Sequence, residues 1–123
     1  MKLITFAAAT EAAVGVVLVI DPSLVGRLLL GADLYSVAQA VGRIAGFALL
    51  ALGLACWPRP EPESRSSAAV RGLLTYNVLA AIFFLYLGIG REFAGLLLWP
   101  AVALHAALAI LLARLFVLGV AIK

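Results

Sequence analysis

Four runs of apolar residues constrain this chain more than any other feature. Each is roughly 18–25 residues long, which matches a hydrocarbon core of about 30 Å at about 1.5 Å per helical residue. They extend from about Leu3 to Ile20, Ser36 to Trp57, Ala68 to Gly88 and Ala94 to Leu118. Backbone in lipid has no water to pair with, so such runs are helices that satisfy their own hydrogen bonds. Composition closes off the soluble alternative. The 123 residues are 66% hydrophobic and 12% charged, where soluble domains hold about 45–50% and 25%. The mean hydropathy is +1.19. The expected fold is all-α: one domain over residues 1–123, a polytopic membrane protein with four transmembrane helices in an antiparallel bundle.

The breaks between the runs give the topology. Asp21-Pro22 is a helix start, with Asp at the N-cap and Pro at the first helical position. Leu24, Val25, Leu28 and Leu29 follow as an apolar stripe up to Gly31. This predicts either a short interfacial helix, apolar side down, or a compact loop packed on the bundle. Ser36-Val-Ala-Gln39 has capping-box spacing and predicts the start of the second span. Pro58 to Ser66 is rich in proline and charge and is read as an exposed loop. In the fourth run, Trp99-Pro100 either kinks one long helix beginning at Ala94 or marks a span that begins at Pro100. Gly26-Arg-Leu-Leu-Leu30 and Gly95-Leu-Leu-Leu98 precede corresponding helices of two hairpins, a weak internal repeat with parallel halves.

Of the nine Lys and Arg residues, Lys2, Arg59, Arg65, Arg71, Arg114 and Lys123 fall on one side of this topology, and Arg27 and Arg91 on the other. The excess predicts a multi-pass protein, of a bacterial inner membrane, with both termini cytoplasmic. Arg71 and Arg114 lie inside helix ends, where their stems allow the charge to snorkel. The Lys2-led first run is read as a retained helix rather than a signal peptide, because it is long and carries Glu11 at its centre. No basic patch with interleaved aromatics supports nucleic-acid binding.

The ninth basic residue, Arg43, is in a span. Each span carries a strongly polar residue in its interior: Glu11, Arg43, Asn77 (beside Tyr76) and His105. Counted from the non-cytoplasmic helix ends, Glu11 lies ~14 Å deep, Arg43 ~10 Å, Asn77 ~16 Å, and His105 ~16 or ~8 Å depending on where the fourth span starts. They form one layer, and small residues on the same faces, with Gly42-x-x-x-Gly46, allow close helix contact. Arg stays charged at any accessible pH and needs a counter-ion. Glu11 is the acidic residue inside a span, so a buried Glu11–Arg43 ion pair is expected, with Gln39, Tyr76, Asn77 and His105 as the polar layer or ligand pocket around it.

The layer has two readings: a network that fixes bundle register, or a pocket for a lipid or quinone-like ligand. Chemistry finds little footing. Ser and Thr residues do not group with His and an acid, and no glycine-rich phosphate loop occurs. One His and one cysteine, Cys56 at the far end of its helix, do not make a metal site or a disulfide. No cofactor is expected. The sequence therefore reads as a non-enzymatic structural or accessory membrane protein, in contact with the bilayer and open to a homo-oligomer or a larger membrane complex. A carboxylate in the first of four short helices resembles the small multidrug resistance transporters, which use a membrane glutamate there for proton coupling. The resemblance covers Glu11 and chain size and implies a small proton- or ion-coupled transporter working as an oligomer; Arg43 departs from that pattern.

Overall fold

A computed structural model describes residues 2–57, 63–91, 93 and 95–121, with side chains except at 63–67 and 119–121. Among these residues there is no strand. The helices are α1 (Lys2–Ile20), a short α2 (Pro22–Val25) that continues as a π-helical turn (Gly26–Leu30), α3 (Val37–Ala55), α4 (Glu63–Gly90) and α5 (Leu98–Ala121). Four stretches are long and apolar enough to cross a membrane: Lys2–Ile20, Val37–Ala55, Ala68–Gly90 and Leu98–Leu118. The chain is thus an all-α, multi-pass membrane protein.

The boundaries have local causes. Asp21 caps α2 as its type predicts, its Oδ1 accepting from the Leu24 N–H at 3.0 Å, with Pro22 at the first position. Gly31 ends the π-helical turn at φ 73, a left-handed conformation that glycine adopts without a Cβ clash. The fourth span begins at Leu98, two residues before the Pro100 alternative and four after Ala94. Its first i→i+4 bond runs from the Ala101 N–H to the Leu97 carbonyl at 2.8 Å. Pro100 therefore falls in the first turn, where its missing N–H would have had no partner anyway. Ala94 itself lies outside the described residues. The loop read at Pro58 to Ser66 is shorter than predicted, since α4 is already helical at Glu63; residues 58–62, like Arg59, Glu92 and Lys123, lie outside the described residues.

The capping box is not formed. Ser36 has φ 44 and its side chain makes no cap bond, so Gln39 turns elsewhere. Its Nε2 donates to the Leu34 carbonyl at 2.8 Å and to Ser23 Oγ at 3.1 Å. Ser23 in turn donates to the same carbonyl at 2.9 Å. These bonds, with Arg27 held to Asp33 at 2.7 Å and near Asp21 at 3.8 Å, fold the α1–α3 connection back over the bundle. The repeated Gly-Leu segments meet there: the Leu97 N–H donates to the Leu28 carbonyl at 2.7 Å, and Gly95 lies against the Leu29 backbone with no room for a Cβ.

Two tight pairs, α1 with α3 and α4 with α5, make the bundle, and contacts between the pairs are sparse. Glycines set the first pair. A Cβ on Gly46 would lie 2.8 Å from the Gly15 carbonyl oxygen and 2.9 Å from Leu18 Cβ, and one on Gly53 2.6 Å from the Ala8 oxygen. The pairs join at the end where α1 begins, through Ile4, Ala7, Ala8, Cys56, Val70, Leu73, Leu108 and Leu112. Overpacking a close contact of this kind costs about 1–3 kcal/mol. Gly46→Leu should therefore lower stability in lipid by about that much, read by reversible unfolding in mixed micelles. Gly90→Ala, with open space around its Cβ, should change it by less than about 0.5 kcal/mol.

Candidate functional site

The polar groups of the spans do not converge as one layer. Glu11, on the α1 face turned toward α4, is 1% exposed, Asn77 is 0% and His105 8%. Asn77 joins the other two. Its Nδ2 donates to the Leu73 carbonyl at 2.9 Å and, more weakly, to Glu11 Oε1 at 3.5 Å. Its Oδ1 lies 2.8 Å from His105 Nδ1. Tyr76, the residue before Asn77, lines the same cavity as Glu11. Rings hold His105 in place: Tyr76 edge-on at 5.7 Å and Phe84 tilted at 5.4 Å between centroids.

Arg43 is elsewhere. Its Nε donates to the Val19 carbonyl at 3.2 Å, its side chain is exposed, and the ion pairs among the described residues are both made by Arg27. The expected Glu11–Arg43 pair is not formed. The reason is register. Gly46 packs against Gly15 and Leu18, and Gly53 against Ala8 and Ala12, so Arg43 comes level with the last turn of α1, about 12 Å above Glu11 at about 1.5 Å per residue. Gln39 is farther still, in the connection. The depth count had treated Ser36 and Ile20 as level, but the first turns of α3 stand beside the folded-back connection, with Gly42 against Pro22.

A cavity of ≈ 790 Å³ lies between the helix pairs. Its inner end is polar, with Thr10, Glu11, Tyr76 and His105. Its walls are apolar, among them Val14, Leu18, Leu49 and Leu52, and Val25, Leu28 and Leu29 of the connection cover it with Leu97 and Pro100. The leucines of α2 and the π-helical turn thus close a pocket. Among the described residues α3 and α5 make no backbone approach within 8 Å. The cavity-lining Ala45, Ala48 and Leu104 on those two helices are exposed, so it opens sideways between them. Sequence reasoning singled out Glu11, Tyr76, Asn77 and His105 and offered a ligand pocket among them, but not its apolar walls; the available signal was Ala13, Ala45, Ala48 and Ala101, small residues that leave the space. No group of three or more His, Cys, Asp or Glu among the described residues has metal-binding geometry. Cys56 is buried at the far end of α3, its Sγ 3.8 Å from the Ala69 carbonyl.

Comparison with protein-family models, with curated proteins and with solved structures finds no match.

Leaving a buried donor or acceptor unpaired costs about 1–3 kcal/mol. Asn77→Ala should therefore destabilise the protein in lipid by about that amount, while Arg43→Gln should stay within about 0.5 kcal/mol. Reversible unfolding of both variants distinguishes this network from a Glu11–Arg43 pair, which would make Arg43→Gln the more damaging change.

Proposed function

We propose that this chain is a small, non-enzymatic membrane protein, structural or accessory in role, that takes up a single small apolar molecule from the bilayer. The observation that carries this reading is the cavity. Its ≈ 790 Å³ falls in the range of about 300–1,000 Å³ typical of ligand sites, and such sites combine apolar walls with a few placed polar groups. The opening between α3 and α5 faces the direction from which a lipid-soluble molecule would arrive. A network serving packing alone would not require space beside it. The protein in lipid nanodiscs should bind an apolar fluorescent probe, and Ala101→Trp, which fills the cavity, should weaken binding at least tenfold. Equal binding by both proteins, or no binding by either, refutes the reading.

The membrane proposed is a bacterial inner membrane, with both termini cytoplasmic. Lys2, Arg71 and Arg114 at one end of the bundle support that orientation over Arg27 and Arg91 at the other. A phosphatase fused after Lys123 should be inactive and a fluorescent protein fused there should be bright.

A second reading, proton- or ion-coupled transport by an oligomer, draws on one observation: no cationic side chain among the described residues pairs with Glu11. On that reading, proteoliposomes would dissipate a pH gradient in a manner lost in Glu11→Gln; gradients that persist with the wild-type protein dispose of it.

A further inference from the structure

The polarity of the cavity runs opposite to that of a bilayer leaflet. Its polar lining side chains, Thr10, Glu11, Tyr76 and His105, all stand at the inner end. Glu11 is the middle residue of the 19-residue α1. Tyr76 and His105 lie three residues from the central residues of their spans, Leu79 and Leu108, which is about 5 Å at about 1.5 Å per residue. The outer end is apolar, covered by Val25, Leu28 and Leu29 with Leu97 and Pro100. That cover is fastened to the start of the fourth span. The Leu97 N–H donates to the Leu28 carbonyl at 2.7 Å, and Gly95 fits against the Leu29 backbone with no room for a Cβ. A bilayer lipid holds its polar head at the interface and its tail at the midplane. The cavity presents apolar side chains near the interface and hydrogen-bonding groups at the midplane.

From this inverted polarity, and resting on the reading of the cavity as a binding site, we infer that the ligand is held head-inward: an apolar body with one small uncharged polar group, a hydroxyl, a carbonyl or an amide, lodged beside Glu11 at the bilayer midplane. The body then lies under the connection. The lateral opening between α3 and α5 gives onto hydrocarbon, so the head reaches its place through lipid. A charged head sheds its hydration on that route at great cost, and a phosphate finds no Lys or Arg among the lining residues to answer it. A single hydroxyl or carbonyl gives up far less and finds hydrogen-bonding groups on arrival. The Tyr76 hydroxyl both donates and accepts, and the Glu11 carboxyl group accepts in either protonation state and donates when protonated. Heads of either hydrogen-bonding sense are therefore served. The phospholipids that surround the opening are excluded, while a quinone-like molecule, with small uncharged oxygens on an apolar body, is admitted.

The test uses compounds with one tail and different heads. Decane, decanol, decyltrimethylammonium and decylphosphocholine are titrated against the full chain in nanodiscs by displacement of the apolar fluorescent probe, with affinities referred to mole fraction in the lipid. Decanol should bind about tenfold or more tightly than each of the others. Orientation is read separately. The chain has one histidine, so ¹⁵N-histidine labels His105 alone. In solid-state NMR, decanol carrying ¹³C at its hydroxyl carbon should show dipolar coupling to that ring, and decanol carrying ¹³C at its terminal methyl should show none. Ala101→Trp, which fills the cavity, should abolish the coupling; if that variant does not fold, the wild-type affinities and couplings decide. Decane binding as well as decanol, either charged compound binding as tightly as decanol, or coupling from the methyl in place of the hydroxyl carbon overturns the inference while leaving a binding cavity in place. Failure of all four compounds to displace a bound probe also overturns the inference alone, whereas failure of the probe itself to bind overturns the binding reading as well.

Discussion

A carboxyl group in the middle of a lipid-embedded helix has to find its hydrogen bonds within the protein, because the surrounding solvent offers none. In this chain that requirement falls on Glu11, and α4 meets it with Asn77. Consecutive residues on a helix point about 100° apart, so Asn77 reaches the carboxyl group only when its own face of α4 is turned to α1. Glu11 therefore sets the rotation of α4 about its own axis as well as its depth. His105 extends the constraint to α5 through Asn77. Three of the four spans are keyed to one another through a single amide.

The fourth span is placed by a different force. Helix α3 is held to α1 by backbone approach at Gly15, Gly46 and Gly53, a packing term that needs no polar group. The two mechanisms divide the bundle. Glycine contacts bind α3 to α1, polar bonds bind α1 to α4 and α5, and nothing draws α3 to α5 at the same depth. The lateral gap and the cavity follow from that division. The pairs close where apolar side chains interdigitate around Leu73, Leu108 and Leu112, and they stay apart where alanines face each other.

The legible part of this structure was what depends on local spacing and solvent. Run length gave four spans, Asp21-Pro22 gave the start of α2, and helix depth singled out Glu11, Asn77 and His105. What failed depended on register between helices. Arg43 was matched to Glu11 by charge and by distance from helix ends, but the ends are not level, and glycine packing slides α3 until Arg43 meets the Val19 carbonyl. Gln39 was lost for a related reason. Its expected partner was the Ser36 backbone, and Ser36 adopts φ 44 because the connection turns back over the bundle. No spacing rule anticipates a left-handed serine, and the capping box fails once that turn is made.

Displacement of Arg43 also changes what Glu11 is suited to do. A carboxylate locked to a guanidinium has its charge balanced and its lone pairs filled, and faces a ligand with nothing to offer. Here the same group receives one weak amide bond at 3.5 Å, while it also lines a cavity. A neutral donor occupies a carboxyl oxygen without supplying a compensating charge. The bundle therefore keeps unspent hydrogen-bonding capacity at the inner end of an apolar space. Such capacity is costly in lipid when nothing answers it. Its concentration at the one place with room for a visitor ties the polar network to the cavity, so that the residues holding three helices in register also form the part of the pocket with chemical preference.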